Sequence, residues 1–222
     1  MQTLNWCKIT LKNEAAQQHL EKAVQILLEG PLKHKGDYVQ EKAINTFCES
    51  ICFMESSLMY QLNIHPQKID YIEISMNQSS YIRNYITVED VVKREITRNL
   101  LRFTTFLSAK KEEEEDYMLD VNWENNKLQN EDSQKLLESR IQSLLKGPGF
   151  LIKTQNAKGA FIEAFTELIR HLENSLLFQR DIHPKNAPIT NDFQRYIKEK
   201  KEVKDIVQNE IRRQFRNYLI FL

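Results

Sequence analysis

Apolar residues recur on one side of a helix in two long stretches of this chain. In the first stretch, the apolar positions are Ile44, Phe47, Ile51, Met54, Leu58 and Leu62. At about 100° per residue these positions share one face, so the pattern predicts an amphipathic helix. The segment from Phe47 to Pro66 reappears from Phe165 to Pro184, with the same face and the same Ile-His-Pro ending. This recurrence predicts a tandem duplication of a helical unit.

The repeat covers most of the chain. The residues that recur around the predicted second helix are Phe47, Glu49, Ile51, Glu55, Ser57, Leu58, Gln61, Ile64, His65 and Pro66, matched by Phe165, Glu167, Ile169, Glu173, Ser175, Leu176, Gln179, Ile182, His183 and Pro184. Earlier and later matches include Trp6 with Trp123, Gly30-Pro31 with Gly147-Pro148, Glu95 with Glu210, and Arg98 with Arg213. We therefore predict two homologous units, at 1–108 and 121–222, joined by an acidic linker at 109–120.

Each unit is predicted to be a small bundle of about four helices. Helix one is expected at about 14–29 and in the corresponding part of the second copy. Gly30 and Gly147 are expected to cap it in the left-handed conformation, and the prolines that follow cannot continue a helix. A third segment with a weaker helical pattern follows in each copy, at 71–85 and 193–200. A fourth helix is expected at 88–107 and 203–222.

The connections between helix one and helix two differ between the copies. They read LKHKGDY at 32–38 and GFLIKTQNAKG at 149–159, and their divergence indicates surface loops. No part of the sequence alternates apolar and polar residues as a half-buried strand does. The predicted class is therefore all-α.

The charge balance gives no general attraction to nucleic acid or to an anionic membrane. The 222 residues include 31 Lys and Arg against 31 Asp and Glu, so the formal net charge is zero. Charge is concentrated in one acidic run, AKKEEEED, between the two copies. Such a run is typical of a solvated linker, and attraction of a basic partner is the alternative.

The cysteines and the hydropathy pattern indicate a cytoplasmic protein without a membrane segment. Cys7, Cys48 and Cys52 are odd in number and have no cysteine at the matching positions of the second copy. A disulfide framework is therefore not expected. The start of the sequence lacks the pattern of a secretory signal, and no apolar run approaches the roughly 18 residues of a membrane span.

Two duplicated carboxylates are candidates for chemistry. Glu55 is expected at the edge of the apolar face of helix two, with Glu49 on the opposite, solvent side. Glu95 is expected in a similar position on helix four. Together with their copies Glu173 and Glu210, these carboxylates are candidates for proton transfer or metal binding. Arg98 and Arg213 follow Glu95 and Glu210 by three residues, so the favoured interpretation is a local ion pair.

The duplicated histidines and tryptophans favour structural roles. His65 and His183 precede a proline at a helix exit, where they are expected to cap carbonyl groups, although histidine is also a common base and metal ligand. Trp6 and Trp123 are expected to pack against the bundle. Cys48 and Cys52 share a helix face, but two cysteines without a second pair are a weak zinc signature. The sequence contains no nucleotide-binding or serine-nucleophile motif, and no cofactor is expected.

A basic segment near the end of the chain is the candidate nucleic-acid face. Its cations are Lys198, Lys201, Lys204, Arg212, Arg213 and Arg216. Acidic residues interrupt them, which is typical of a solvated helix face.

These observations favour a non-enzymatic protein that binds another protein as an adaptor, inhibitor or regulator. Nucleic-acid binding and a bundle enzyme or metal site are the alternatives. Each copy ends in an apolar pair, Phe106-Leu107 and Phe221-Leu222, which we expect the two units to bury in a pseudo-two-fold arrangement. The same surface would allow self-association.

Overall fold

The computed structural model describes residues 10–64, 88–109, 127–146, 154–182 and 202–222. Every regular element in these ranges is an α-helix, which confirms the predicted all-α class for the described residues. The helices are α1 (Glu14–Glu29), α2 (Asp37–Ile64), α3 (Val88–Ser108), α4 (Glu131–Lys146), α5 (Gln155–Ile182) and α6 (Val203–Phe221). Several predictions fall outside these ranges; they concern Trp6, His65, Trp123, His183, Lys198, Lys201, segment three and nearly all of the acidic linker.

Two helices begin earlier in the chain than predicted. The first residues of α2 and α5, at 37–38 and 155–159, were assigned to surface loops, and this assignment is wrong. The carbonyl of Gly36 accepts hydrogen bonds from the N–H groups of Val39 and Gln40 at 2.9 and 3.0 Å. Thr154 caps α5 in the same way, and its hydroxyl also accepts from Ala157 N at 3.2 Å. The first N–H groups of a helix have no partner within the helix, and these contacts supply one. The helices can therefore begin directly after Gly36 and Thr154.

Gly30 ends α1, but not through the predicted left-handed cap. Its φ is −106°, and its N–H donates to Ile26 O at 3.0 Å. A Cβ atom at this position would lie 2.9 Å from the same carbonyl oxygen, closer than side chains normally approach. Glycine is therefore required by a close backbone approach. Gly147 lies outside the described residues.

The helices pack around α2 and α5, which contact each other along the centre of the bundle. Helix α3 packs against both of them, and so does α6. Helix α1 lies mainly against α3, and α4 mainly against α6. The buried apolar side chains of all six helices form one continuous core.

Aromatic rings from α3, α5 and α6 meet in the middle of this core. Tyr218 of α6 stacks on Phe165 with 4.8 Å between ring centroids and lies 5.1 Å from Phe161. Phe106 of α3 is 6.3 Å from Tyr218, and Phe221 also lies within this group. Both Phe106 and Phe221 are buried, and the neighbouring Leu107 and Leu222 pack against the core.

Candidate functional site

Two buried glutamates hold the segments that lead into α1 and α4. Glu55 of α2 accepts hydrogen bonds from the backbone N–H groups of Lys12 and Asn13, at 3.0 and 3.4 Å. Glu173 of α5 accepts from the backbone N–H groups of Gln129 and Asn130, at 2.8 and 3.3 Å. Burial raises the pKa of both carboxyl groups, and the backbone hydrogen bonds oppose that shift.

The first turns of α1 and α4, which follow these segments, are capped by equivalent hydrogen bonds. The Asn13 side chain accepts from Ala16 N at 2.8 Å, and the Asn130 side chain accepts from Ser133 N at 2.9 Å. Both asparagines therefore cap their helices. The predicted position of Glu55 and Glu173 at the edge of the core is confirmed, and their role here is to bind backbone donors.

Substitution of Glu55 by alanine should destabilise the protein by about 2–3 kcal/mol, because the N–H groups of Lys12 and Asn13 lose their acceptor. Glu41→Ala on the same helix is the matched control, since Glu41 is exposed and an exposed substitution changes stability by about 0.5 kcal/mol or less. Urea unfolding followed by circular dichroism measures both. Equal effects of the two substitutions would contradict this role.

The second feature is a pair of ion clusters in which an arginine bridges two helices. In the α3–α5 cluster, Arg98 pairs with Glu95 on its own helix at 2.6 Å and with Glu167 of α5 at 2.7 Å. In the α2–α6 cluster, Arg213 pairs with Glu210 on its own helix and with Glu49 of α2, both at 2.5 Å. The predicted pairs three residues apart are confirmed.

The predicted solvent position of Glu49 is wrong. Its side chain is only 13% exposed and faces Arg213. Helix α2 contacts α6 as well as α5 and α3, so more of its circumference is covered than the apolar stripe indicates. The recurrence of Glu49 as Glu167 is the sequence feature that could have indicated a buried role.

The two clusters differ in their remaining members. Arg102 adds a second cation to the α3–α5 cluster and pairs with Glu167 at 2.6 Å and Glu163 at 2.7 Å. In the α2–α6 cluster a neutral amide takes part, because Gln214 Nε2 donates to Glu49 and Glu210 at 2.6 and 2.7 Å. Sequence reasoning missed Arg102 and Glu163, because Asn217 and Asn45 stand at the matching positions of the other copy.

The difference in cations changes the electrostatics of the matched glutamates. Burial raises the pKa of Glu167, but the charges of Arg102 and Arg98 outweigh burial and hold this pKa below its ordinary value. Burial also raises the pKa of Glu49, and the single guanidinium of Arg213 does not reverse the shift. Burial lowers the pKa of His171 to about 3, and the charge of Arg170 is the second largest cause. This histidine is therefore neutral at physiological pH.

Among the candidate residues that the structure describes, the duplicated glutamates belong to separate contacts. Glu55 binds backbone donors, whereas Glu95 pairs with Arg98. Over the parts of the chain that the structure describes, no group of three or more His, Cys, Asp or Glu is arranged to hold a metal ion. Cys48 and Cys52 are both buried in α2.

Part of the predicted nucleic-acid face is engaged in internal ion pairs. Lys204 pairs with Asp132 of α4, and Arg213 belongs to the α2–α6 cluster. Arg212 and Arg216 are exposed on α6.

The described residues thus define an all-α helical assembly with buried ion clusters between its helices. Comparison of the chain with protein-family models, curated proteins and solved structures finds no match. None of the described helices has both the length and the apolar character needed to cross a membrane.

Proposed function

We propose that the chain is a tandem duplication whose two helical units face each other in a pseudo-two-fold arrangement. The paired contacts support this. Glu55 and Glu173 occupy matching positions in the repeat and bind the same kind of backbone donors. Arg98 of the first unit pairs with a glutamate of the second, and Arg213 of the second pairs with a glutamate of the first.

We further propose that this is a non-enzymatic cytoplasmic protein that binds another protein. The observation that carries the proposal is a pair of large apolar side chains in the first unit, Ile26 on α1 at 53% exposure and Leu101 on α3 at 68%. Large exposed apolar side chains that lie close together are typical of interaction surfaces.

From helix geometry we infer that the two side chains lie near the line of contact between α1 and α3, which we call the seam. The Asn13 side chain donates to Glu89 at 2.9 Å, and His19 lies 3.0 Å from the Thr97 hydroxyl, so the two helices run parallel. Ile26 follows His19 by two helical turns and Leu101 follows Thr97 by one turn. Both therefore lie beyond the His19 contact, on the faces that border the seam.

The seam is particular to the first unit. Ser143 and Arg216 stand at the repeat positions that correspond to Ile26 and Leu101. A partner that binds through these apolar side chains would therefore distinguish the two units.

Replacement of Ile26 by Ser and Leu101 by Arg, the residues of the second unit, should abolish capture of the partner from a host lysate. Exposed side chains contribute little to folding, so stability should change by about 0.5 kcal/mol or less. Affinity capture followed by mass spectrometry measures the loss.

Leu219→Thr is the matched control, because Leu219 is 56% exposed on α6 and Thr104 occupies its repeat position. The control should retain the partner. A partner held equally by both variants would contradict the proposed surface, and co-purified nucleic acid in place of protein would favour the nucleic-acid alternative. A homo-oligomer that dissociates on the double substitution would identify the partner as a second copy of this chain.

A further inference from the structure

The α2–α6 cluster brings two buried carboxylates to the same pair of donors. Glu49 Oε2 and Glu210 Oε1 each accept from Arg213 Nη2 at 2.5 Å. The same two oxygens accept from Gln214 Nε2, at 2.6 and 2.7 Å. Two largely buried carboxylates therefore converge on a single cation, whose own side chain is 39% exposed.

The orientation of Gln214 is set by its other contacts. Its side-chain oxygen accepts from the Thr46 hydroxyl at 3.2 Å and from Asn217 Nδ2 at 3.3 Å. These donors keep the amide nitrogen directed at the carboxylates. The amide is neutral, so it supplies hydrogen bonds without balancing the second negative charge.

The matched cluster shows what would balance that charge. In the α3–α5 cluster, Arg102 supplies a second guanidinium to Glu167, while α6 has Asn217 at the position that matches Arg102. In the α2–α6 cluster, the charged groups that face Glu49 are Arg213 and Glu210, both on α6. Among the described residues of α1, α3, α4 and α5, none forms an ion pair with Glu49.

We propose that the α2–α6 cluster is a proton-binding site, in which Glu49 takes up a proton beside Glu210 and α6 docks more tightly on α2 as the pH falls. Two carboxylates that share a site and a single counter-charge cannot both remain ionised without cost. A proton on Glu49 removes one of the two charges, and with it the repulsion between the two carboxylates.

The direction of the pH effect follows from the pKa of Glu49. This pKa is raised in the folded protein above its ordinary value of 4.5, so folding takes up a proton. The resulting contribution to stability is fully present below the ordinary value and is lost as the pH rises through the raised value. Burial raises the pKa of Glu55, Glu95 and Glu173 in the same direction, so only a comparison with a Glu49 variant isolates this cluster.

The test is urea unfolding of the full chain across a pH series, for the unsubstituted protein and for Glu49→Gln. The variant keeps a hydrogen-bonding side chain but cannot titrate. Proton uptake on folding, obtained from the pH slope of the unfolding free energy, should fall in the variant, by at most about one proton for a single group. The variant should also be the more stable protein at neutral pH, with the difference closing in acid.

Glu167→Gln is the matched control, because arginine charges lower the pKa of Glu167. It should be less stable than the unsubstituted protein at neutral pH, with the deficit shrinking in acid. A Glu49→Gln variant that keeps the full proton uptake, or that loses stability at neutral pH as the control does, would overturn the proposal.

Carbon-13 NMR of the glutamate carboxyl groups in the unsubstituted protein gives a reading that does not depend on a variant's folding. The Glu49 resonance should titrate with a midpoint above 4.5, the ordinary value for a glutamate. A Glu49 midpoint at or below that value would show that no proton is held there.

Discussion

Deletion of residues 218–222 should abolish cooperative folding and cause aggregation. Tyr218 and Phe221 are fully buried, and Tyr218 contacts Phe165 at 4.8 Å and Phe161 at 5.1 Å between ring centroids. Loss of one buried aromatic side chain costs about 3–5 kcal/mol. Loss of two reaches the range of about 5–15 kcal/mol that stabilises a typical domain. The deletion also exposes the rings of α3 and α5 that Tyr218 covers.

Thermal unfolding by circular dichroism, with sedimentation to detect aggregates, measures this effect. Leu219→Thr changes an exposed side chain within the same segment, and it should unfold like the unsubstituted protein. A truncated chain with an unchanged, cooperative transition would show that the aromatic group is not the centre of the core.

Replacement of Arg102 by methionine should destabilise the protein by about 3–5 kcal/mol. Arg102 is buried, and it pairs with Glu167 at 2.6 Å and Glu163 at 2.7 Å. Removal of the guanidinium takes from the buried Glu167 one of the two arginines with which it forms ion pairs. The remaining carboxylate then bears a desolvation cost that its contacts no longer offset.

Lys93→Met on the same helix is the control, because Lys93 forms a half-exposed pair with Glu89 and such pairs contribute about 1 kcal/mol or less. The double variant Arg102→Met with Glu167→Gln should be less destabilised than the sum of the two single variants, since the buried charge is removed together with its partner. Urea unfolding measures these four variants against the unsubstituted protein. Equal effects of Arg102→Met and Lys93→Met would contradict a role for the buried pair.

Interactions within one helix could be predicted from the sequence. The bounds of α1 agree with the prediction, and α3 and α6 agree to within a residue. The pairs Glu95 with Arg98 and Glu210 with Arg213 were also predicted, and they form. Helical geometry alone brings residues three positions apart together, so these contacts need no knowledge of how the helices pack.

Contacts between helices were decided by the tertiary structure. Glu49 was placed in solvent because a hydrophobic pattern identifies one buried face, whereas α2 is covered by α6 on a second side. The partners of Arg102 have no local signature for the same reason.

The sequence by itself therefore determined the helical class and the pairs of residues that recur along the chain. Only the tertiary structure decided that Glu167 meets Arg98 and Glu49 meets Arg213, and that Arg102 adds a further ion pair to Glu167. The physical reason is that periodicity reports the average environment of a helix face, while the charge balance at a buried position depends on side chains distant in sequence.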